Sequence, residues 1–402
     1  MRVLLTSWAW PSHYLPMVPL AWALRAAGHE VRVASQPALE PTITDSGQVA
    51  VATGPDLEHA EVHQKVMRDL RLTAVPHAPP PGATMRRWTP EARDRVRRVF
   101  AVFNEYADAM LDDLYAYALE WRPDLIVFDP TTFAGPLVGA ALGIPTVRHI
   151  HGVDVTNQAR DVIAELIAPL AERLGVSDVD PLGTATVDPC PPSMQCPAEV
   201  TRIPVRYVPY NGRAVLPPWL RDTRPGDRPR LCVTWGTSTT RIAGFQLFAP
   251  PVVLSAVDGL DLDIVVTLTG PEADTFTDVP PGVRVVKGLP LHLVLPHCDA
   301  VVHQGGNGTI LTAAYHGVPQ LVLPQLPDQT FHTRQFVTTG AGTSLLREDA
   351  TAPNIRAALT GLLSQPGYRE AARRLRAELH AMPSPASILP DLAALTRKEL
   401  VS

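Results

Sequence analysis

The segment that most limits the fold is Val301-Val302-His303-Gln304-Gly305-Gly306-Asn307-Gly308-Thr309, running into Ile310-Leu311-Thr312-Ala313-Ala314-Tyr315-His316-Gly317. A short apolar strand, a turn with three glycines and an apolar helix closed by a glycine form half of a β-α-β unit, and such units build parallel sheets. The first turn of the helix offers backbone N–H groups without helical partners and the positive end of the helix dipole, which together attract an anion. Spacing excludes the two commoner phosphate loops. No lysine follows the glycines as a Walker loop requires, and Gly305, Gly306 and Gly308 do not make Gly-x-Gly-x-x-Gly. The charge available is therefore His303 plus the helix terminus, which suits the two bridged phosphates of a departing nucleotide diphosphate. The plain alternative is a strand-to-helix turn whose glycines serve close packing.

A second strand, Gln320 to Leu323, leads through Gln325-Leu326-Pro327 to Asp328-Gln329 and a helix ending at Gly340. Ligands of open parallel sheets bind beyond the carboxyl ends of the strands, so both loops are expected at one crevice. Asp328 and Gln329 offer acceptors and donors for neighbouring hydroxyls, as a sugar requires. Asp328 as a helix N-cap is the alternative.

The amino terminus repeats the pattern. Arg2 to Thr6 reads as a buried strand, Pro16 to about Ala27 as a helix capped by Gly28, and Glu30 to Ala34 as the next strand. His13 falls on the loop after the first strand, where an imidazole titrating near ~6.5 can accept a proton at neutral pH; a surface histidine in a turn is the plain reading. Asp129 follows the apolar strand Leu125 to Phe128 and emerges at the same sheet edge. It either orients the base, as carboxylates do for catalytic histidines, or Asp129-Pro130 simply ends the strand.

His303-Gln304-Gly305-Gly306-Asn307-Gly308-Thr309, with Gly317-Val318-Pro319-Gln320 and Asp328-Gln329, resembles the donor signature of family 1 glycosyltransferases with the GT-B fold. Met1 to Ser7, Pro11-Ser12-His13-Tyr14-Leu15-Pro16, Val18 to Val31, Asp188-Pro189-Cys190-Pro191-Pro192-Ser193 and Tyr207-Val208-Pro209-Tyr210-Asn211-Gly212 are similar to actinobacterial antibiotic glycosyltransferases acting on macrolides and aromatic polyketides. The resemblance spans nearly the whole chain. It implies an α/β protein with two Rossmann-like parallel-sheet domains facing a central crevice, and inverting, metal-independent transfer of a deoxysugar from a nucleotide diphosphate sugar, of the TDP type, to a hydroxyl of a polyketide-type aglycone. His13 is then the base, with Asp129 beside it. The diphosphate leaves toward His303 and the helix start at Gly306, Asn307, Gly308 and Thr309, with Gly305 shaping the turn. Gly236, Thr237 and Ser238 resemble the family's phosphate and ribose contacts, Gly288-Leu289 occupies its base-binding position, and Asp328 and Gln329 hold the sugar. Two residues depart from the family: Gln304 stands at a usual histidine, and Asn307 at a usual alanine or proline. C-glycosyl transfer, a sugar-nucleotide 2-epimerase and a non-catalytic sugar-nucleotide-binding partner stay open as alternatives. A nicotinamide oxidoreductase lacks its fingerprint after strand one.

The 402 residues exceed what one core usually supports, and the density of prolines from Pro204 to Pro229 signals a linker. The expected domains are 1–214, binding acceptor, and 215–384, binding nucleotide sugar, with a terminal helix in 385–402 that the resemblance packs back onto the first. Irregular structure is expected from Gly47 to Arg98 around the active crevice, with the arginines from Arg86 to Arg98 as a solvated helix face, and a helix from Val99 to Trp121. A net charge of −5 supplies no basic field for nucleic acid or an anionic membrane. Four cysteines without a Cys-x-x-Cys pair argue against a zinc or redox site, and the first apolar run is too short to span a membrane, so a cytoplasmic protein is expected. No cofactor is expected beyond the sugar nucleotide substrate. Asp178-Val179-Asp180 and Asp261-Leu262-Asp263 read as solvated carboxylates rather than a metal pair. The expected partners are the nucleotide sugar and a hydrophobic aglycone; an activator protein and a homodimer are admitted.

Overall fold

The computed structural model describes residues 1–58, 89–221, 228–239, 241, 247–269, 273–274, 276 and 279–397. The prolines at 76–81, Arg86 and Arg87, Pro225-Gly226 and the tail beyond 397 lie outside the described residues. The chain divides into two compact units, one comprising Met1–Pro189, Cys196–Arg206 and Met382–Ser402, the other Cys190–Gln195 and Tyr207–Ala381. Among the described residues no helix is long and apolar enough to cross a membrane.

The first unit carries a seven-stranded parallel sheet: β1 (Arg2–Thr6), β2 (Glu30–Ser35), β3 (Ala50–Ala52), β4 (Leu125–Phe128), β5 (Thr146–His149), β6 (Ala185–Asp188) and β7 (Arg202–Pro204), in the order β3-β2-β1-β4-β5-β6-β7. Leu4, Leu5, Ile126 and Val127 are wholly buried, as expected where helices cover both faces of a parallel sheet. The expected helix Pro16–Ala27 breaks into Pro11–Tyr14, a 3-10 turn Leu15–Met17 and Val18–Ala26, since Pro16 and Pro19 remove N–H donors and begin new turns. His13 consequently sits in a helical turn rather than a loop.

The long helix is Pro90–Trp121, beginning before the expected Val99. Pro90 at the first helical position is a start signal rather than a break, and the Thr89 hydroxyl caps it by accepting from the Ala92 N–H at 3.2 Å. Its arginine face is solvated as expected and also forms surface ion pairs: Arg98 bonds Asp94 one turn back, and Arg93 and Arg97 reach Glu165 on helix Arg160–Arg173. Among the described residues the terminal helix is Leu389–Leu395, within the first unit, and Thr396 Oγ1 lies 3.8 Å from Met1 Sδ.

The second unit carries a six-stranded parallel sheet: β8 (Arg230–Thr234), β9 (Asp263–Leu268), β10 (Val283–Lys287), β11 (Ala300–His303), β12 (Gln320–Val322) and β13 (Gly342–Ser344), in the order β10-β9-β8-β11-β12-β13. Strand alternation sorts the core: Leu231, Val233, Val266 and Val302 pack with helices Pro250–Val257 and Ala352–Ser364, while Cys232, Val265 and Val301 pack on the other face with Ala313. The junction falls between Arg206 and Tyr207 rather than at 215. Tyr207 Oη donates to the Gly308 carbonyl at 3.3 Å and Asn211 Oδ1 accepts from the His292 N–H at 3.1 Å, so this stretch is fastened to the second sheet. Cys190–Gln195 joins it through Ser193, whose N–H and hydroxyl donate to Glu378 at 2.8 and 2.7 Å.

Strand order reverses once in each sheet, between β1 and β4 and between β8 and β11. Loops leaving the carboxyl ends of these strands diverge to opposite faces and open a crevice where ligands of such sheets bind.

Candidate active site

At the first switch point the structure brings His13, after β1, to Asp129, immediately after β4. The strand ends are clamped together by the Asp129 N–H donating to the Thr6 carbonyl at 3.0 Å. His13 Nδ1 donates to Asp129 Oδ2 at 2.9 Å, which leaves Nε2 as the proton-accepting atom. Asp129 is fully buried, and its other oxygen accepts from the Thr131 hydroxyl at 2.6 Å, the Thr131 N–H at 3.0 Å and the Thr132 hydroxyl at 3.3 Å. Burial pushes this carboxyl up, but the charge and hydrogen bond of His13, the charge of His151 and the Thr131 hydroxyl together bring it down to about 2. It is therefore an anion at neutral pH.

The imidazole of His13 is held between rings. Trp8 meets it edge-on with centroids 5.0 Å apart, and His151 does the same at 4.7 Å. The Trp8 indole N–H in turn donates to the Thr131 hydroxyl at 3.0 Å, linking the aromatic wall to the carboxylate. Phe103 and Tyr106 of the long helix pack on Trp8. His151 was missed by sequence reasoning. It lies two residues past β5, the neighbour of β4 in the sheet, and that adjacency is the signal that would have found it. Its Nε2 is 3.8 Å from Asp129 Oδ2, and burial lowers its pKa to about 4.

The second switch point is built from neutral groups. Helix Asn307–His316 starts one residue after Gly306, whose carbonyl accepts from the Thr309 and Ile310 N–H groups at 3.0 Å each, and the positive end of its dipole lies at the loop after β11. His303 departs from its expected role. It is wholly buried, its Nδ1 accepts from the Gly305 N–H at 3.0 Å, and its Nε2–H donates to Gln320 Oε1 at 2.9 Å. Burial lowers its pKa to about 4, so it is uncharged and anchors the turn, with both ring nitrogens engaged by protein. The positive potential here comes from the helix terminus, not from an imidazolium.

Gln329 is likewise committed to the protein rather than open to a sugar. Its carbonyl accepts from the backbone of Gln325 at 2.9 Å and Leu326 at 3.1 Å, and its amide donates to Thr239 Oγ1 at 3.1 Å. Asp328 beside it is exposed in the first turn of helix Pro327–Thr338, whose N-cap is Leu326. The two departures from the family each have a partner. Asn307 Nδ2 donates to His332 Nε2 at 3.1 Å. Gln304, almost fully buried, lies against Gly236 in the loop after β8, where an added Cβ would stand 2.2 Å from Gln304 Nε2. Gly236 also has φ +67°, so both its backbone and its contact demand glycine. Beyond it Thr237 is exposed and Ser238 half-buried; Thr309 is half-buried at the helix start, Gly308 follows Asn307, and Leu289 is half-buried at the carboxyl side of β10.

Of the two Asp-x-Asp pairs, Asp178 and Asp261 are exposed, as the solvated reading expects, while Asp180 and Asp263 are held by arginines. Asp180 takes two bonds from Arg160, Asp263 pairs with Arg230 at 2.7 Å, and Asp261 stands 3.7 Å from Arg228.

Comparison with known proteins covers both units. Residues 22–236 match the family model described as erythromycin biosynthesis protein CIII-like, N-terminal domain, and residues 251–395 match its C-terminal domain. The chain is 37% identical to the 10-deoxymethynolide desosaminyltransferase of Streptomyces venezuelae, covering 98% of this chain and 97% of that one. It is 38% identical to the aclacinomycin-T 2-deoxy-L-fucose transferase of Streptomyces galilaeus, covering 98% and 96%. Among solved structures, the glycosyltransferase VinC in complex with DTDP superposes with a TM-score of 0.81 at 34% identity, covering 99% of this chain and all of that one.

Proposed function

The chain belongs to the erythromycin biosynthesis protein CIII-like family of GT-B glycosyltransferases, and from that premise we propose that it moves a deoxysugar from a thymidine diphosphate donor to a hydroxyl of a polyketide aglycone, with inversion and without a metal. The observation that carries the reading is the hydrogen bond between His13 Nδ1 and the buried, ionised Asp129. A neutral imidazole oriented in this way presents a lone pair at Nε2, and the anion behind it stabilises the imidazolium that forms when the acceptor proton arrives.

In this mechanism the acceptor oxygen attacks the anomeric carbon as His13 removes its proton, and the bond to the diphosphate breaks in the same step. One in-line displacement inverts configuration. Charge growing on the departing diphosphate meets the N–H groups at the start of helix Asn307–His316, fixed dipoles that need no reorganisation. That arrangement requires no divalent ion, and one member of each Asp-x-Asp pair, Asp180 and Asp263, is already bonded to an arginine. The half-buried Leu289 offers an apolar surface for a pyrimidine, and the nucleotide named in the complex with VinC supports thymine. The relatives' names support a deoxysugar donor and an antibiotic-type aglycone.

The test is to incubate the purified chain with TDP-deoxysugars and a panel of polyketide aglycones in the presence of a chelator, and to assign the product's anomeric configuration by NMR. A glycoside of inverted configuration is expected. Retention, hydrolysis without acceptor transfer, or transfer only after metal is restored each overturns the corresponding part of the reading.

A further inference from the structure

We propose that His13, Asp129 and His151 form a binding site for a divalent transition-metal ion of the zinc type, and that filling it switches off His13 as a proton acceptor. The switching half rests on the transferase reading above; the binding half does not.

The three side chains each bring one ligand atom, and these atoms lie within 4.8 Å of one another. His13 Nδ1 is 2.9 Å from Asp129 Oδ2, and His151 Nε2 is 3.8 Å from the same oxygen. A tetrahedral zinc ion about 2.0–2.2 Å from nitrogen and oxygen ligands keeps them roughly 3.3–3.5 Å apart, so one of these gaps opens and the other closes by a few tenths of an ångström. Two imidazoles and one carboxylate are the ligand set of borderline ions such as zinc and cobalt, whereas magnesium and calcium prefer oxygen alone. Three protein ligands leave a fourth position for water.

The surroundings suit such an ion. The carboxylate is oriented by Thr131 and Thr132 on its far oxygen, the kind of outer support that metal ligands use. All three ligands sit at one sheet edge, beyond β1, β4 and β5.

Metal binding and base catalysis are mutually exclusive at His13. As a base, the ring carries its proton on Nδ1, bonded to Asp129, and its lone pair on Nε2. An ion takes the Nδ1 lone pair, so the one proton of the neutral ring resides on Nε2, and no lone pair faces the acceptor hydroxyl. The hydrogen bond to Asp129 is lost as well.

The experiment uses the full chain, stripped with a chelator and titrated with cobalt chloride, then zinc chloride. One equivalent of cobalt is expected to give tetrahedral visible bands, displaced by zinc, with sugar transfer falling in step with occupancy and returning on added chelator. His151→Gln is expected to weaken cobalt binding by at least about tenfold and to remove the difference between transfer with and without zinc, whatever its metal-free rate. Equal cobalt affinity in wild type and His151→Gln overturns the site, as does transfer that continues at full zinc occupancy. Should His151→Gln fail to fold, X-ray absorption of the zinc-loaded wild type decides: two imidazoles and oxygen support the site, and sulfur scattering from cysteine or a shell without imidazole overturns it. A chain that binds cobalt yet transfers no sugar in the metal-free state sinks the transferase reading instead.

Discussion

The two sheets share one topology and place different chemistry at the same point of it. Between β1 and β4 the loops deliver a titratable pair, His13 on an ionised, fully buried Asp129. Between β8 and β11 the loops deliver glycines, a helix start and a histidine that is neutral and sealed. The contrast separates two ways of handling charge. Proton removal needs a side chain whose charge changes during the reaction, so it depends on pairing and burial tuned around one ring. Holding a diphosphate needs only a steady field, which backbone dipoles supply without ionisable groups.

The largest test of the contrast falls on the first switch point. His13→Ala and Asp129→Asn are expected to lower kcat for transfer by about 10²–10⁴-fold, while thymidine diphosphate affinity changes less than about twofold. Steady-state kinetics with calorimetric titration of the nucleotide checks both numbers. A variant that loses nucleotide affinity as steeply as turnover would place the pair in donor binding, and the division of labour would collapse.

The next effect concerns stability, and its sign comes from burial. His303 has an ordinary pKa near ~6.5 in the unfolded chain and about 4 in the fold. Between those values the unfolded chain binds a proton that the folded one does not, so stability rises with pH across this window. The contribution is fully present above ~6.5 and is lost as pH falls toward about 4, amounting to roughly 3 kcal/mol over the window. His303→Gln is expected to flatten the urea-unfolding stability between pH 7 and 4.5 by about 2 kcal/mol, against its own lower baseline. If the variant keeps the wild-type slope, His303 is not the sealed neutral group described above.

That residue also marks where the sequence stopped being legible. The strands with long apolar runs, Arg2–Thr6, Leu125–Phe128, Arg230–Thr234 and Asp263–Leu268, were readable because burial on both faces demands such runs. Three of the four edge strands, Ala50–Ala52, Arg202–Pro204 and Gly342–Ser344, have three residues each, too few to carry a period. The position of the glycine turn was legible as well, but not the direction of its histidine. Only the approach of Gln320, thirteen residues past Asn307 and on the neighbouring strand, turns the ring of His303 inward. Asp129 was legible as a strand end, whereas His151 became visible only through the order of the sheet.

A smaller effect is expected where two loops of the second switch point touch. Gly236→Ala brings a Cβ against Gln304 Nε2 at a left-handed backbone position, so the loop after β8 must shift. Thymidine diphosphate affinity is expected to fall about tenfold, with kcat at saturating donor within about threefold of wild type. Gln304→Ala combined with it relieves the contact but not the backbone strain, and partial recovery of affinity is the expected result. No recovery at all would assign the loss to φ alone.

The smallest prediction bears most directly on the comparison. Thr237 is exposed beside Gly236 and carries one of the hydroxyls of the loop after β8. If the diphosphate is held chiefly by backbone, losing one hydroxyl removes a single hydrogen bond worth about 0.5–1.5 kcal/mol, so Thr237→Ala is expected to raise the donor KM by no more than about tenfold and leave kcat alone. Thr237→Ser, which keeps the hydroxyl, is expected to match wild type. A loss from Thr237→Ala on the scale of His13→Ala would mean that the second switch point also works through a side chain, and the contrast between the two sheets would then lie in which side chain carries the load.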